Sequence, residues 1–415
     1  MKLDWEIGGA TLTSISVYSK LDQDLYGSTS WQTPPGFGFC GPIGGAGEPP
    51  DCFQVLVDDF EVMSQDLRLT SRSDQRLRWL VGAAYLDREA GNLLRIGAAA
   101  LDSNGSVVPG PAPFLDRADL RRDRVSGIYG QINYDVTQAL EATVALRWDE
   151  NRYDTTQYTT LDFVTPVPTP DGEITQRAKD SELQPKVQLA YRWNDALMTY
   201  LGYARGFRTG FFNTGTLTQA ETTSNYELGF KATLWDRRMQ LNGAVFHIDY
   251  SNQQFTTIIP TPPFRATENI SGTSIDGLEL EGIVQPLYHW NISAGLGVTK
   301  AEVDDGTTAP STPDYTLNLS TDYTLDLNAS WSLIGRVDYR RQASQYLARN
   351  ERFEIGPKDY VNLRLALDGQ RWKWTAYVDN ALDERQANEV NNVGFGYIRV
   401  PNRPRTYGLE FSFKL

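Results

Sequence analysis

Long apolar runs and sulfur-containing residues are nearly absent from this 415-residue sequence, which has two cysteines and four methionines. No stretch of about 18 consecutive apolar residues occurs, so no transmembrane helix is expected. A membrane location stays open, because a β-strand crosses a bilayer with roughly 9–11 residues of which every second one is apolar.

A surplus of positive charge is also missing. The 39 Lys and Arg residues face 52 Asp and Glu residues, which gives a formal net charge of -13. Nucleic-acid binding needs a basic footprint, so a nucleic-acid partner is not expected. The acidic balance fits a cell-surface protein with acidic loops and a polar interior, although a solvated acidic surface explains it as well.

The amino terminus lacks the pattern of a signal peptide. Residues 1–6 show no basic start followed by an apolar run. An outer-membrane protein must be exported, so we expect the natural amino-terminal part to be missing from this sequence. A cytoplasmic protein is the alternative, and the periodicity described below argues against it.

The two cysteines, Cys40 and Cys52, lie in one Gly/Pro-rich stretch of residues 37–53. Two cysteines in one loop of an exported protein predict a disulfide. A metal site is not expected at these cysteines, because no histidine is near and two thiolates do not complete a tetrahedral shell.

Aromatic residues are abundant, with 21 Tyr, 17 Phe and 10 Trp. Strands favour aromatic rings, and so do membrane interfaces, where one end of Tyr or Trp is wet. Eight tryptophans lie close to a predicted short turn or strand end, which fits an interfacial belt as well as a general preference for strands. They are Trp79, Trp148, Trp193, Trp235, Trp290, Trp331, Trp372 and Trp374.

Alternation of apolar and polar residues with a period of two is the dominant pattern. It recurs in segments along the chain, and the polar positions carry Arg, Lys, Glu and Asp. Apolar sets that each share one strand face are Leu140 to Trp148, Val187 to Trp193, Tyr226 to Leu234, Leu278 to Val284, Tyr315 to Leu325 and Tyr407 to Leu415.

The connections between roughly 16 predicted strands alternate strictly between long and short. Outer-membrane barrels have this pattern, with tight turns on one side and extended loops on the other. The sequence therefore predicts an all-β, transmembrane, antiparallel up-and-down β-barrel. The long connections cover residues 27–60, 89–120, 156–178, 208–222, 253–268, 304–313, 344–357 and 381–402; the short ones lie near 73–75, 135–138, 194–195, 236–238, 286–289, 326–329 and 369–370.

Seven segments, in order along nearly the whole chain, resemble the barrel domain of TonB-dependent outer-membrane receptors, the transporters of iron–siderophore complexes and other scarce nutrients. Each segment alone is weak evidence for this resemblance, but the seven segments together, in this order, are strong evidence. They are Gln65 to Ser71, Tyr203 to Asn213, Asn225 to Lys231, Asn242 to Tyr250, Ile275 to Glu281, Val378 to Glu384 and Pro404 to Gly408.

This resemblance implies that residues 1–415 are one partial barrel of a family that closes 22 strands around a plug. About six strands, the plug and the TonB-contacting box are not visible. The implied location is the outer membrane of a Gram-negative bacterium, among lipid and lipopolysaccharide, with an iron–siderophore complex or similar solute as cargo. TonB is an expected partner of the full-length protein only, so this chain alone is not expected to perform energised uptake. Leu415 departs from the family's usual aromatic end; Phe413 is the nearest aromatic on its face.

Ligand capture is expected to use aromatic and arginine residues of the external loops, which grip a ferric chelate by stacking and charge. Ordinary loop packing and lipopolysaccharide contact are the competing explanations for each candidate. The candidates are Trp31, Phe37, Tyr158, Arg208, Phe211, Phe212, Phe395 and Tyr397. Charged residues expected on the plug-facing wall are Arg147, Arg192, Lys231, Glu279, Glu281 and Arg364.

No motif supports catalysis. Neither His247 nor His289 has a nucleophile placed beside it, and Glu302, Asp304 and Asp305 lack the spacing of a calcium loop. We therefore expect no enzyme activity, no cofactor and no metal. Three other functions stay open: a passive porin, an outer-membrane hydrolase that uses His247, and a soluble all-β binding protein.

Overall fold

The computed structural model describes residues 1–28, 52–101, 103, 107–161, 171–213, 216–258, 265–307, 309–346, 354–392 and 397–413. Among these residues no helix is long and apolar enough to cross a membrane. The strands are β1 Lys2–Ile7, β2 Ala10–Ser28, β3 Cys52–Ser71, β4 Leu77–Leu101, β5 Val107–Asp135, β6 Leu140–Leu161, β7 Asp171–Asn194, β8 Leu197–Arg208, β9 Phe211–Asn213, β10 Thr216–Thr218, β11 Glu221–Leu234, β12 Met239–Ile258, β13 Arg265–Leu287, β14 Trp290–Val303, β15 Tyr315–Asn328, β16 Trp331–Gln342, β17 Gln345–Tyr346, β18 Glu354–Ile355, β19 Lys358–Gly369, β20 Trp372–Asp379, β21 Ala387–Asn392, β22 Tyr397–Pro401 and β23 Thr406–Phe413.

Seventeen of these strands form one sheet. Successive strands pair antiparallel in chain order, as in β2 with β3, β12 with β13 and β20 with β23. Three short pairs, β9–β10, β17–β18 and β21–β22, form separate two-stranded sheets within long connections. The predicted antiparallel up-and-down order is confirmed, and the main sheet holds one strand more than the roughly 16 expected.

The chain divides into two compact units. Unit 1 consists of residues 1–133, 145–185 and 207–220, and unit 2 consists of residues 134–144, 186–206 and 221–415. The ends of β5, β6 and β7 next to their short connections, and β8 as far as Gly206, belong to unit 2.

All seven predicted short connections occur within a few residues of their expected positions, and the β1–β2 turn at Gly8 and Gly9 is an eighth. Most long connections are shorter than predicted, because the strands on either side extend into them. The largest error concerns residues 89–120, where β4 runs to Leu101 and β5 starts at Val107. Because β6 runs from Leu140 to Leu161, Trp148 lies inside this strand rather than near its end. Trp290, Trp331 and Trp372 each begin a strand next to a short turn.

Each unit exposes the apolar side chains of one sheet face. In unit 1, Val81, Ile128 and Leu146 are 53%, 61% and 49% exposed; in unit 2, Leu201 and Leu365 are 56% and 52% exposed. A soluble sandwich would press such rows together in a dry middle. In a membrane-spanning barrel, apolar rows of this kind face the lipid. We call this side the apolar face of each unit and the opposite side the polar face.

Candidate functional site

A network of charged residues covers the polar face of unit 1, centred on Asp123 of β5. The Asp123 carboxylate is 2% exposed and accepts hydrogen bonds from Arg88 of β4 at 2.5 Å and from Arg121 at 2.6 Å. Asn151 of β6 donates a longer bond of 3.3 Å to the same carboxylate. Two guanidinium groups compensate the desolvation of this one carboxylate, as a buried charge requires.

The β9–β10 hairpin folds onto this network. The Gly210 N–H donates to Asp180 of β7 at 2.8 Å, and the Gly210 carbonyl accepts a bond from Arg121 at 3.4 Å. The Phe212 ring packs against the Tyr153 ring with 5.9 Å between centroids, and the Arg121 guanidinium lies 5.1 Å from the same Tyr153 centroid. The hairpin is thereby held against the polar face at its first residues.

The structure brings only part of the predicted ligand set together. Phe211 and Phe212 lie in the hairpin, and exposed Arg208 immediately precedes it. Tyr158 lies on the apolar face of β6, where its hydroxyl donates to Asp116 at 3.3 Å, so it does not join this group. Trp31, Phe37 and Phe395 and the side chain of Tyr397 lie outside the described residues.

Sequence reasoning missed the residues that anchor the hairpin. Arg121, Asp123, Tyr153 and Asp180 all sit in strands, outside the segments predicted to be long connections. Only the spacing of Arg121 and Asp123, two residues apart and therefore on one strand face, was a usable signal.

Unit 2 contains a cavity of about 670 Å³ on its polar face. Amide and hydroxyl side chains dominate its lining, with Glu281, Asp338, Arg340 and the buried Lys358 as charged members. Polar lining residues include Gln240, Asn242, Ser293, Asn318, Ser320, Tyr360, Asn362 and Asn402. Such a wall suits a hydrated interior or a polar ligand rather than an apolar one.

Three of the charged residues predicted for the plug-facing wall form ion pairs. Arg147 binds Asp149 at 2.6 Å on the same strand, Arg192 reaches Glu141 of the neighbouring strand at 3.0 Å, and Arg364 lies 3.4 Å from Asp379. Glu281 lines the unit 2 cavity. Pairing between strand neighbours lowers the cost of these charges on a sheet face.

Both histidines are engaged by carboxylates. His247 Nδ1 lies 2.8 Å from Asp276 and its Nε2 lies 3.0 Å from Asp249, so both ring nitrogens are occupied. His289, in a turn, lies 3.3 Å from Asp326 and stacks on Tyr288. Neither pair resembles a Ser–His arrangement, in which the ring must receive the proton of a nucleophile.

The acidic residues at the β14 end point to different partners. Glu302 pairs with Lys300 at 2.5 Å, and Asp305 accepts hydrogen bonds from the backbone and side chain of Thr307. Over the described part of the chain, no three His, Cys, Asp or Glu residues converge as metal ligands. Cys40 and the side chain of Cys52 lie outside the described part of the chain, so the disulfide stays a prediction.

A hydrogen-bonded turn follows β20, at the segment Val378 to Glu384. Asn380 donates to the carbonyls of Glu384 at 3.0 Å and Arg403 at 2.9 Å. The Asp383 carboxylate accepts the Arg405 N–H at 3.0 Å and lies 2.9 Å from the Arg385 guanidinium. The Arg405 backbone bond, with the Arg385 charge, holds the pKa of Asp383 below its usual value. The turn ties the end of β20 to the start of β23.

Solved structures with a similar fold include receptors and a transporter. The ferric yersiniabactin uptake receptor FyuA from Yersinia pestis superposes with a TM-score of 0.81 at 16% identity, covering 99% of this chain and 60% of that one. The siderophore receptor PiuA from Acinetobacter baumannii gives 0.74 at 16% identity, with 99% and 63% coverage. The copper transporter OprC gives 0.72 at 16% identity, with 97% and 62% coverage.

These similarities establish the fold, and the chain spans less than two thirds of each of these proteins. The sequence model described as "TonB dependent receptor-like, beta-barrel" matches residues 2–381. That match covers most of the strands, including the hairpin and every cavity-lining residue except Asn402. The chain therefore belongs to the TonB-dependent receptor β-barrel family.

Proposed function

We propose that this chain is the barrel part of an outer-membrane receptor that takes up an iron–siderophore complex, or another scarce solute, with energy from TonB. The family match and the exposed apolar face of each unit support this proposal. The exposed face is the single observation that carries the membrane location, because uncovered apolar rows of this size are unstable in water.

The solute-contact surface that we favour consists of Arg208 with Phe211 and Phe212 of the β9–β10 hairpin. An arginine next to aromatic rings offers both charge and stacking to an anionic ferric chelate. The hairpin is also held by Arg121 and Asp180, so its rings are positioned before a ligand arrives. Preorganisation of this kind lowers the entropic cost of binding.

A binding measurement tests the solute class. Ferric and metal-free forms of a catecholate and a hydroxamate siderophore are titrated into the detergent-solubilised chain, with intrinsic tryptophan fluorescence as the signal. We expect saturable quenching by at least one ferric chelate, and weaker binding in Arg208→Gln. Lys300→Gln, a cation paired with Glu302 in unit 2, is the control and is expected to bind normally. Equal signals for ferric and metal-free forms would contradict an iron–siderophore cargo.

We further propose that this chain alone does not perform energised uptake, because TonB acts on the plug in this family. Radioactive ferric chelate uptake is compared in a receptor-deleted strain that expresses this chain, with and without TonB. TonB-dependent accumulation would refute the proposal. Steady conductance in a planar bilayer, without selective binding, would favour a passive porin instead.

A further inference from the structure

The cavity of unit 2 lies over one row of residues that are directly opposite each other on successive strands. The register pairs Glu281 of β13 with Gly295 of β14, which in turn pairs with Asn318 of β15. Asn318 is also opposite Arg340 of β16. Residues opposite each other share a sheet face, so the whole row belongs to the polar face. Its six members all line the cavity: Asn242, Glu281, Gly295, Asn318, Arg340 and Tyr360.

Glu281 and Arg340 are opposite charges at the two sides of this cavity. Both are exposed, and neither forms a hydrogen bond or an ion pair with another residue in the part of the chain that the structure describes. Three strand spacings, about 14 Å, separate their Cα atoms. The row between them holds only Gly295 and Asn318, and a Cβ at Gly295 would meet no atom within 4 Å. The two charges therefore lie on opposite sides of an open, uncharged floor.

The other two charged residues of the lining, Asp338 and Lys358, do not cancel this separation. The Asp338 carboxylate is held by the Arg336 guanidinium at 2.7 Å, so it is already compensated without Arg340. Lys358 is 3% exposed and lies on the Arg340 side of the cavity, at the start of β19. Glu384 acts on the Lys358 charge. Arg340 is thus the cation on this side that is open to a ligand.

The charged residues next to the lining on the β13 side keep that side acidic. Glu279 lies two residues from Glu281, on the same face of β13. Lys231 of β11 is opposite Asn242, so two strand spacings, about 10 Å, separate it from Glu281. Two carboxylates and one more distant lysine leave the β13 side of the cavity acidic, across the floor from the basic side at β16 and β19.

On the polar face of unit 1, strand neighbours neutralise such charges. Arg88 and Arg121 share the Asp123 carboxylate. Arg147 binds Asp149 at 2.6 Å. Pairing within the wall leaves little attraction for a charged solute, whereas a charge that the wall does not pair attracts a ligand group of the opposite sign. The cavity of unit 2 keeps one such charge of each sign, so it suits a solute that carries both.

We infer that this cavity binds a short zwitterionic peptide, with the peptide ammonium group at Glu281 and its carboxylate at Arg340. Each ligand charge then meets the opposite charge of the wall. The side-chain amide of Asn318 both donates and accepts hydrogen bonds, as the peptide backbone between the two ends requires. Three extended residues span about 10 Å, which fits between charged side chains whose Cα atoms are about 14 Å apart. The cavity volume of about 670 Å³ is ordinary for a small-molecule site.

Peptides with blocked ends test the inference in the full chain. Tri-alanine, its N-acetylated form and its C-amidated form are titrated into the folded protein in detergent, and dissociation constants are obtained from saturation-transfer NMR. We expect either block to weaken binding about fivefold, the upper range for one exposed ion pair. Glu281→Gln should weaken the binding of free tri-alanine as much as acetylation does, and acetylation should then have no further effect. Arg340→Gln should show the same relation with amidation.

Glu302→Gln and Lys300→Gln, which alter a charge pair on the apolar face of the same unit, are the matched controls and should bind tri-alanine normally. Gly295→Leu should abolish binding and leave the sheet folded, because its side chain enters the open floor without a clash at Cβ.

Three results would each overturn the peptide site: equal binding of free and blocked tri-alanine, no saturable binding to the wild-type protein, or additive losses from acetylation and Glu281→Gln. The comparison of free and blocked peptides uses the wild-type protein, so it decides the question even if a variant misfolds. The site lies within unit 2 and goes beyond the proposed uptake function. A ferric chelate that fails to bind at Arg208 would therefore contradict that function and leave the peptide site intact.

Discussion

The ring of Tyr129 lies directly over Gly82 of the neighbouring strand, and its hydroxyl donates a 2.6 Å hydrogen bond to Asp66. Unit 2 repeats this arrangement where Tyr200 covers Gly229 and donates to Glu227 at 2.6 Å. In each case a glycine makes room for a ring that lies flat on the polar face. The ring covers the glycine backbone and brings its hydroxyl to a carboxylate.

Gly82→Ala is expected to destabilise the fold. The added Cβ would lie 2.5 Å from the Tyr129 ring and 2.9 Å from the Leu67 carbonyl, so the ring must leave its place. Overpacking of this kind costs about 1–3 kcal/mol. Urea unfolding in lipid vesicles measures the loss, with Gly295→Ala as control because a Cβ there meets nothing within 4 Å. Equal midpoints for the two variants would show that the Tyr129–Gly82 contact is unimportant.

Asp123→Ala is expected to lower the free energy of unfolding by about 1–3 kcal/mol, because Arg88 and Arg121 lose a buried common acceptor. The half-exposed arginines keep access to water, which limits the effect. The matched control is Asp22→Ala, which removes an exposed carboxylate from Lys20 and should change little. A similar loss in both variants would mean that burial at Asp123 does not matter.

Gly210→Ala is expected to release the β9–β10 hairpin without unfolding the sheet. A Cβ at this position would overlap the Thr218 carbonyl and approach the Tyr153 hydroxyl to 2.8 Å. Hydrogen exchange should therefore accelerate in residues 209–220 and stay unchanged in β12 and β13. Gly202→Ala, whose Cβ has only ordinary contacts at 3.9 Å or more, serves as the control. Unchanged exchange in the hairpin would show that its anchoring does not depend on Gly210.

The turn after β20 should weaken in acid. Because the pKa of Asp383 is lowered in the folded protein, its ionised form stabilises the turn at pH values above the ordinary carboxyl range. That contribution is lost as the pH falls from about 4 through the lowered pKa. Hydrogen exchange at the Arg405 amide reports the change after correction for its intrinsic pH dependence. Asp383→Asn should remove most of the pH dependence, and a variant that keeps it would assign the effect to another group.

Much of the sheet follows from the order of residues alone. Period-two alternation predicts the face of Leu189 and Gln188 correctly, because successive side chains of a strand point to opposite sides. Turn residues near Asp74, Asp195 and Asp236 mark the short connections, where glycine, asparagine and aspartate tolerate the required backbone angles. The last strand, Thr406–Phe413, could be predicted because its aromatic and aliphatic residues alternate with small or polar residues without interruption.

The end of β4 and the start of β5 could not be predicted in this way. Gly97 to Ala100 and the neighbouring Leu93 and Leu94 break the alternation, and prolines at 109, 111 and 113 suggest a loop. These prolines occupy every second position, so the missing N–H groups all belong to one edge of the strand, and the other edge can still pair. An ion pair between the two strands, Arg95 of β4 with Asp116 of β5 at 3.1 Å, links this end of β4 to the start of β5.

The hairpin site could be predicted only in part from the sequence, for a related reason. Aromatic and arginine content indicated Arg208, Phe211 and Phe212. The residues that hold the hairpin, Arg121, Tyr153 and Asp180, contact Gly210 or Phe212 from as far as 89 residues away in sequence. A contact of this range depends on strand register over several hairpins, and no local pattern encodes it.

The most direct test of the membrane-spanning sheet is a spin-label scan along β7 in lipid vesicles. Single cysteines are placed at residues 186–192 in a background with Cys40→Ser and Cys52→Ser, and accessibility to lipid-dissolved oxygen and to an aqueous nickel chelate is measured. We expect labels at Val187, Leu189 and Tyr191 to be accessible to lipid-dissolved oxygen. Labels at Lys186, Gln188 and Arg192 should be accessible to the aqueous nickel chelate. If the odd-numbered positions were closed to both reagents, those side chains would be packed inside protein and the receptor-barrel account would be contradicted.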